Sequence, residues 1–217
     1  MNIKKTLQKL LKQTRGMVGI EAAIVLIAFV IVAAAFSFMV VNMGLFSTQR
    51  GRETIQNGVS EAASPLTLDG SIQIQSDGSS VNATVIPLKT LGVQYVPMSS
   101  PETEVSLRIE NKTSYANIYY GIDTTTPNAS TLNTLASSVV TQYGAVTAAK
   151  VFIGNSDADS SLDYDEKGFL VIILESSAQA AEREHVWLEI RPEKGAPLTI
   201  EFIVPPQLTQ GWHTIGS

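Results

Sequence analysis

Twelve consecutive residues in the second half of the chain, Asn155-Ser156-Asp157-Ala158-Asp159-Ser160-Ser161-Leu162-Asp163-Tyr164-Asp165-Glu166, carry oxygen ligands at the spacing of a calcium loop. In that pattern Asn155, Asp157, Asp159 and Asp163 supply side-chain oxygens, Ser161 its carbonyl and Glu166 two oxygens, with Leu162 at the apolar position. A set of hard oxygens suits calcium better than zinc. Two departures stand against it: Ser160 occupies the place of the glycine, and the flanks read as strands where such a loop has helices. The same residues also read as a solvated acidic turn. Three further asparagines, Asn82, Asn111 and Asn128, are each followed two positions later by Thr or Ser without an intervening proline, the acceptor pattern for N-linked glycans. Sequons arise by chance in a Thr-rich chain, but three of them imply modification of at least one.

Chemistry of other kinds finds little to work with. The 217 residues contain no cysteine, which excludes disulfides, thiolate metal sites and cysteine catalysis. His185 and His213 are the only histidines and belong to no nucleophile or metal motif. No Gly-x-Ser-x-Gly, His-Glu-x-x-His or phosphate-cradling glycine loop occurs. The chain therefore reads as a non-enzyme that requires no cofactor, a structural calcium and N-linked glycans being the additions its motifs allow. Trp187 lies in a strand pattern and reads as core.

Charge is divided unevenly. Residues 1–16 hold Lys4, Lys5, Lys9, Lys12 and Arg15 and no acid; subtracting these 5 from the 15 basic residues leaves 10 against 20 acidic ones in the remainder. A body with a balance of -10 and no basic cluster offers nothing for phosphate contacts, so nucleic acid is excluded as a partner.

Between those two regions, residues 22–49 contain no Asp, Glu, Lys or Arg, and over 22–41 Ser37 is the only polar side chain. Twenty apolar residues in a helix rise about 30 Å, the thickness of a bilayer's hydrocarbon core. Such a run is apolar on every face, unlike a core helix, which buries one side. The basic leader before it would stay in the cytoplasm and send the rest outward. A secretory signal cut near Ala33, Ala34 and Ala35 is the alternative, but it would leave the apolar stretch 36–46 as a stub. A cut after Gly16 would instead remove all five leader charges and leave Met17 at the N-terminus. Glu21, alone at the edge of the apolar run, would then lie in the first helical turn, where the macrodipole favours an acid. The new amine of Met17 is its other candidate partner.

A basic leader ending in Arg15-Gly16, followed by Met17-Val18-Gly19-Ile20-Glu21-Ala22-Ala23-Ile24-Val25-Leu26-Ile27-Ala28-Phe29, resembles the class III signal and N-terminal helix of the type IV pilin superfamily. The stretch Val41-Asn42-Met43-Gly44-Leu45-Phe46, and Trp187-Leu188-Glu189-Ile190-Arg191-Pro192-Glu193-Lys194-Gly195-Ala196-Pro197-Leu198 near the C-terminus, are similar more narrowly to archaellins, the archaeal flagellins. That resemblance implies a signal at 1–16 removed after Gly16 by a prepilin-peptidase-like membrane protease. It also implies a hydrophobic helix over 17–64, first in the membrane and then in a filament core, with Glu21, Ala22, Ile24, Leu26 and Phe29 on its assembly surface. The expected function is a structural subunit of the archaeal swimming filament. It would form an extracellular homopolymer added at a membrane assembly platform driven by a separate cytoplasmic ATPase. Two other readings stay open: an adhesive type IV pilin, and an uncut single-span protein displaying an extracellular binding sandwich.

The helical signal extends to 63, where Pro65 ends it. Beyond, the pattern alternates. Segments 71–75 and 81–86 have period two around Asp77-Gly78 and read as a hairpin. Further strands are expected at 92–97, 104–110, 116–122, 148–153, 168–174, 186–190 and 198–204, with a short helix at 132–142. The expected class is α+β: a long N-terminal hydrophobic α-helix followed by an antiparallel, Ig-like β-sandwich or barrel over 65–217.

Overall fold

The computed structural model describes the whole chain except residues 1–2, 113, 124–130, 145 and 217; for residues 3–18 and 60 it describes the backbone alone. One helix, α1, runs from Ile3 to Ala62 without interruption, so the basic leader is helical together with the apolar run. At 1.5 Å per residue its 60 residues extend about 90 Å. The chain divides into two units, Met1–Asn57 and Gly58–Ser217. The sequence division at 64/65 followed Pro65; the structural one falls about two turns earlier, because the end of the helix belongs to the sheet unit.

In the second unit, a large sheet takes in β1 (Leu66–Leu68), β2 (Ile72–Ser76), β3 (Ser80–Thr90), β7 (Tyr119–Asp123), β8 (Ala148–Gly154), β10 (Lys167–Ile173), β11 (Ala180–Ala181) and β14 (Gly211–Ile215). Its order is β14-β2-β3-β10-β8-β7, with β1 and β11 on β3. A second sheet has the order β13-β12-β5-β6, from Leu198–Ile203, His185–Arg191, Glu104–Ile109 and Ser114–Tyr115. A two-stranded ribbon joins β4 (Tyr95–Pro97) to β9 (Ser161–Asp163). The expected hairpin at Asp77-Gly78 is present. Asp77 accepts the backbone N–H groups of Ser79 and Ser80, which hold its carboxyl down at about 2.

The alternation of period two explains how the sheets meet. Ile74, Ile86, Leu88, Leu170 and Ile172 of the large sheet face Val105, Leu107, Val186, Leu188 and Ile190 of the second in one buried cluster, a sandwich interior. Strands β8 and β10 are buried on both faces, because the far side of the large sheet is also covered. Helix α2 (Leu132–Tyr143) places Leu135, Ala136 and Val139 against Val85, Phe152 and Val171. Thr131 caps α2 by accepting the N–H of Thr134.

The expected antiparallel sandwich is present with one parallel pair, and one expectation, that for Trp187, is corrected. The sheet is not wholly antiparallel: β7 pairs with β8 in parallel, and α2 lies in the connection between them, as a parallel pair requires a crossover. Trp187 is not core. Val186, Leu188 and Ile190 take the inward positions of β12, so Trp187 stands on the outer face, stacked on His185 with the Arg108 guanidinium 5.1 Å from its ring centre.

The turn between β12 and β13 grips the end of α1. Ala196 donates its N–H to the Ala63 carbonyl, and Gly195 sits beneath it with φ +98°. A Cβ at Gly195 would lie 2.7 Å from both Ala63 O and Pro65 Cδ. Gly195→Val is therefore expected to destabilise the sheet unit by about 3 kcal/mol, from a left-handed backbone and a clash with main chain. Urea unfolding followed by tryptophan fluorescence measures it. An unchanged midpoint would show that the turn is not fixed on the helix end.

Candidate functional site: an uncovered apolar helix and an acidic cleft

The apolar helix is uncovered. From Gly19 to Val59, 41 residues with a mean hydropathy of 3.1 in their most apolar window, no residue of that window is buried within the chain. Leu26 and Phe29 are 66% and 73% exposed, and Ile20, Ile24, Val30, Ile31, Phe36 and Phe38 are open in the same way. Apolar side chains point in every direction around the axis, so no single neighbour of ordinary shape covers them. Two hydroxyls near its end are satisfied within the helix: Thr48 donates to the Gly44 carbonyl at 2.8 Å and Thr54 to that of Arg50 at 2.9 Å. Glu21 and Ala22 are exposed on the same surface. Gly16 and Met17, the expected cleavage positions, lie within the helical backbone; their side chains are outside what is described.

The acidic loop is partly gathered. The carboxylate oxygens of Asp157, Asp159 and Asp163 lie within 4.8 Å of one another. Glu166 is turned inward and buried, and its two oxygens accept the N–H groups of Asp157 and Asp163 at 3.1 and 3.0 Å. Asp159 accepts both the N–H and the hydroxyl of Ser161. Ser161 itself is in strand β9, paired with Pro97, and Asn155 has a left-handed backbone at the start of the loop. The structure thus brings together three of the six expected ligands and uses Glu166 as the brace of the loop. Three mutually close carboxylates, none ion-paired to a Lys or Arg among the described residues, fit a hard divalent cation, whose charge would relieve their repulsion.

The sequons differ in setting. Asn111 is exposed, with φ +60°, in the turn after β5. Asn82 is half-buried at an irregularity of β3, where Gln75 pairs with Ala83 and Ser76 with Val81, leaving Asn82 unopposed. Its Oδ1 is buried without a partner, and Thr84, the third residue of this sequon, is buried. Asn128 lies outside the described residues.

Sequence reasoning missed a buried ion pair. Lys150 Nζ lies 3.5 Å from Asp123 Oδ2, both side chains about 95% buried, and donates to Gln142 Oε1 at 2.7 Å beneath the ring of Tyr143. The signal was there: Lys150 is the one charge in the otherwise apolar strand Ala148–Gly154.

A long uncovered apolar helix and a β-sandwich make up the chain, and comparison with known proteins places it. The sequence matches the archaeal-type flagellin family over residues 16–202. It is 44% identical over 203 residues to "Probable flagellin 1" of Aeropyrum pernix, covering 93% of this chain and 97% of that one. "Probable flagellin 1" of Archaeoglobus fulgidus is 29% identical over 204 residues, covering 92% and 95%. In fold it resembles the crystal structure of archaeal flagellin FlaB1 from Methanocaldococcus jannaschii, with TM-score 0.55, 19% identity, and coverage of 70% of this chain and 96% of that one. It also resembles the archaeal flagellum of Methanospirillum hungatei strain JF1, with TM-score 0.53, 23% identity, and coverage of 89% and 98%. The chain belongs to the archaeal-type flagellin family. It is a structural protein of that family and not an enzyme.

Proposed function

We propose that this chain is the subunit of a swimming filament that polymerises through α1. Its precursor rests in the membrane, loses residues 1–16 to a prepilin-peptidase-like protease, and is added to the growing base by an assembly platform coupled to a cytoplasmic ATPase. The observation that carries this reading is the charge-free run 22–49, within a helix whose most apolar window is buried nowhere within the chain. Lipid covers it before assembly and identical helices cover it afterwards. Both surroundings are apolar, so the transfer forfeits little hydrophobic stabilisation and side-chain packing sets its direction. Removal of the five leader charges is what lets the N-terminal end follow. N-terminal sequencing of surface filaments tests the reading: a start at Met17 supports it, whereas a start at Met1 points to an uncut single-span protein. Deletion of the chain should abolish swimming and spare attachment.

Calcium and glycans are additions to this role. With Asp157, Asp159 and Asp163 holding calcium, stability rises with free ion as binding to the folded state demands. Chelation is then expected to lower the melting temperature of the sheet unit by several degrees, and excess calcium to restore it; identical melting curves with and without chelator would exclude a structural ion. Of the sequons, Asn111 stands on an exposed turn that a glycosyl transferase can reach in the folded chain, whereas the strand pairing around Asn82 restricts its modification to the unfolded one. Peptide mapping by mass spectrometry is expected to find sugar at Asn111, and a mature chain bare there would remove it as an acceptor.

A further inference from the structure

Exposed aromatic side chains also occur on the sheet unit, and they are grouped. A cleft of about 730 Å³ opens between the loop leading into β4 and the turn that follows β9. Val93, Tyr95 and Tyr164 line it beside Asp157, Asp163 and Asp165, and both tyrosines are more than half exposed. Single exposed apolar residues are ordinary, but a shared cleft of aliphatic and aromatic surface with a charged rim marks a contact surface. The rim is strongly negative. The loop carries five carboxylates, Asp157, Asp159, Asp163, Asp165 and Glu166, and none of them is ion-paired to Lys or Arg among the described residues. A calcium ion held by three of them would cancel two charges and leave the cleft negative.

The same chain displays a complementary surface. Over residues 17–65 the only basic side chains are Arg50 and Arg52. Arg50 is already engaged, 3.7 Å from Glu53 and over the Phe46 ring. Arg52 has no partner among the described residues, and it shares one helical face with Leu45 and Ile55, both exposed. That face offers one unmatched cation between two aliphatic groups, and the cleft offers carboxylates beside aliphatic and aromatic groups. Both surfaces are uncovered within a single chain.

We propose that the cleft of Val93, Tyr95 and Tyr164 receives the Arg52 face of α1 from a second copy of this chain. The inference rests on the homopolymer reading above and adds to it a lateral contact that fixes register. Two different patches that fit each other across copies make a heterologous contact, which propagates into an open helical polymer and does not close into a dimer. The apolar groups drive the contact, and the guanidinium facing carboxylates selects one position along the helix.

The chain's lack of cysteine makes the test clean. In filaments of a variant carrying Ile55→Cys and Tyr95→Cys, mild oxidation is expected to give a ladder of covalent multimers on a non-reducing gel, absent from either single variant. Arg52→Glu is expected to raise the concentration needed for assembly roughly tenfold, and Arg52→Glu with Asp165→Arg to restore it. Filaments without a ladder, with Arg52→Glu assembling as the unaltered chain does, overturn the contact and leave the homopolymer standing. A fast-migrating monomer band would mean that the cleft holds its own helix, and this also overturns it. Failure of the unaltered chain to form filaments removes the homopolymer reading, and the contact with it.

Discussion

Cells carrying Leu26→Asp are expected to produce no filaments while still synthesising the chain. Leu26 lies inside the uncharged run 22–41, four positions past its start, and is two-thirds exposed on the bare helix. In the membrane a carboxylate costs about 2.5–3.5 kcal/mol at the centre of a spanning helix and less toward its ends. In the fibre the penalty is larger in effect, because every subunit brings the same unpaired charge to the same level of the helical core. No basic side chain of residues 17–65 can reach it, since the only two are Arg50 and Arg52, more than twenty positions away. Electron microscopy of sheared cells together with immunoblotting of membranes reads the outcome. Leu26→Met, which keeps volume and polarity, is expected to give filaments in normal number. Ordinary filaments from Leu26→Asp would mean that this part of α1 is not in the core.

Lys150→Ala is expected to give the largest loss of stability in the sheet unit, about 3–5 kcal/mol, because it breaks a buried ion pair with Asp123 and removes the donor to Gln142. The pair joins β7 to β8, and the Gln142 and Tyr143 contacts of Lys150 tie both strands to the last turn of α2. The parallel pair and its crossover helix are therefore secured at one point. Replacing Lys150 by Met and Asp123 by Leu together is expected to recover part of the loss, since both charges then leave the interior. Urea unfolding of the full chain in detergent, followed by tryptophan fluorescence, measures both variants. A loss of less than about 1 kcal/mol for Lys150→Ala would place the pair in water.

The long helix was readable because a charge-free run of this length has few other solutions, and the longer strands because they either alternate, as 104–110 and 186–190 do, or are short and almost wholly apolar, as 148–153 and 168–174 are; each agrees with a strand to within one or two residues. What escaped reading depends on partners far along the chain. Strands β1, β6 and β11 are two or three residues long and exist because β3 or β5 runs beside them. Strand β14, Gly211–Ile215, has a weak pattern of its own and forms on the edge offered by β2. The parallel direction of β7 is set by the α2 crossover and not by any residue in β7. Of the acidic loop, the sequence showed the spacing of oxygens but not that Ser161 and Asp163 belong to a strand, nor that Glu166 spends both oxygens on backbone N–H groups. Trp187 was misplaced because strand parity, and not hydrophobicity, decides which side of β12 faces the interior.

Removing detergent from the purified chain that begins at Met17, and viewing it by electron microscopy, tests the main claim most directly. The expected result is fibres in which the backbone amides over 20–48 resist hydrogen exchange, because sister helices shield them. A soluble monomer whose greasy helix is shielded by its own sheet unit would contradict it.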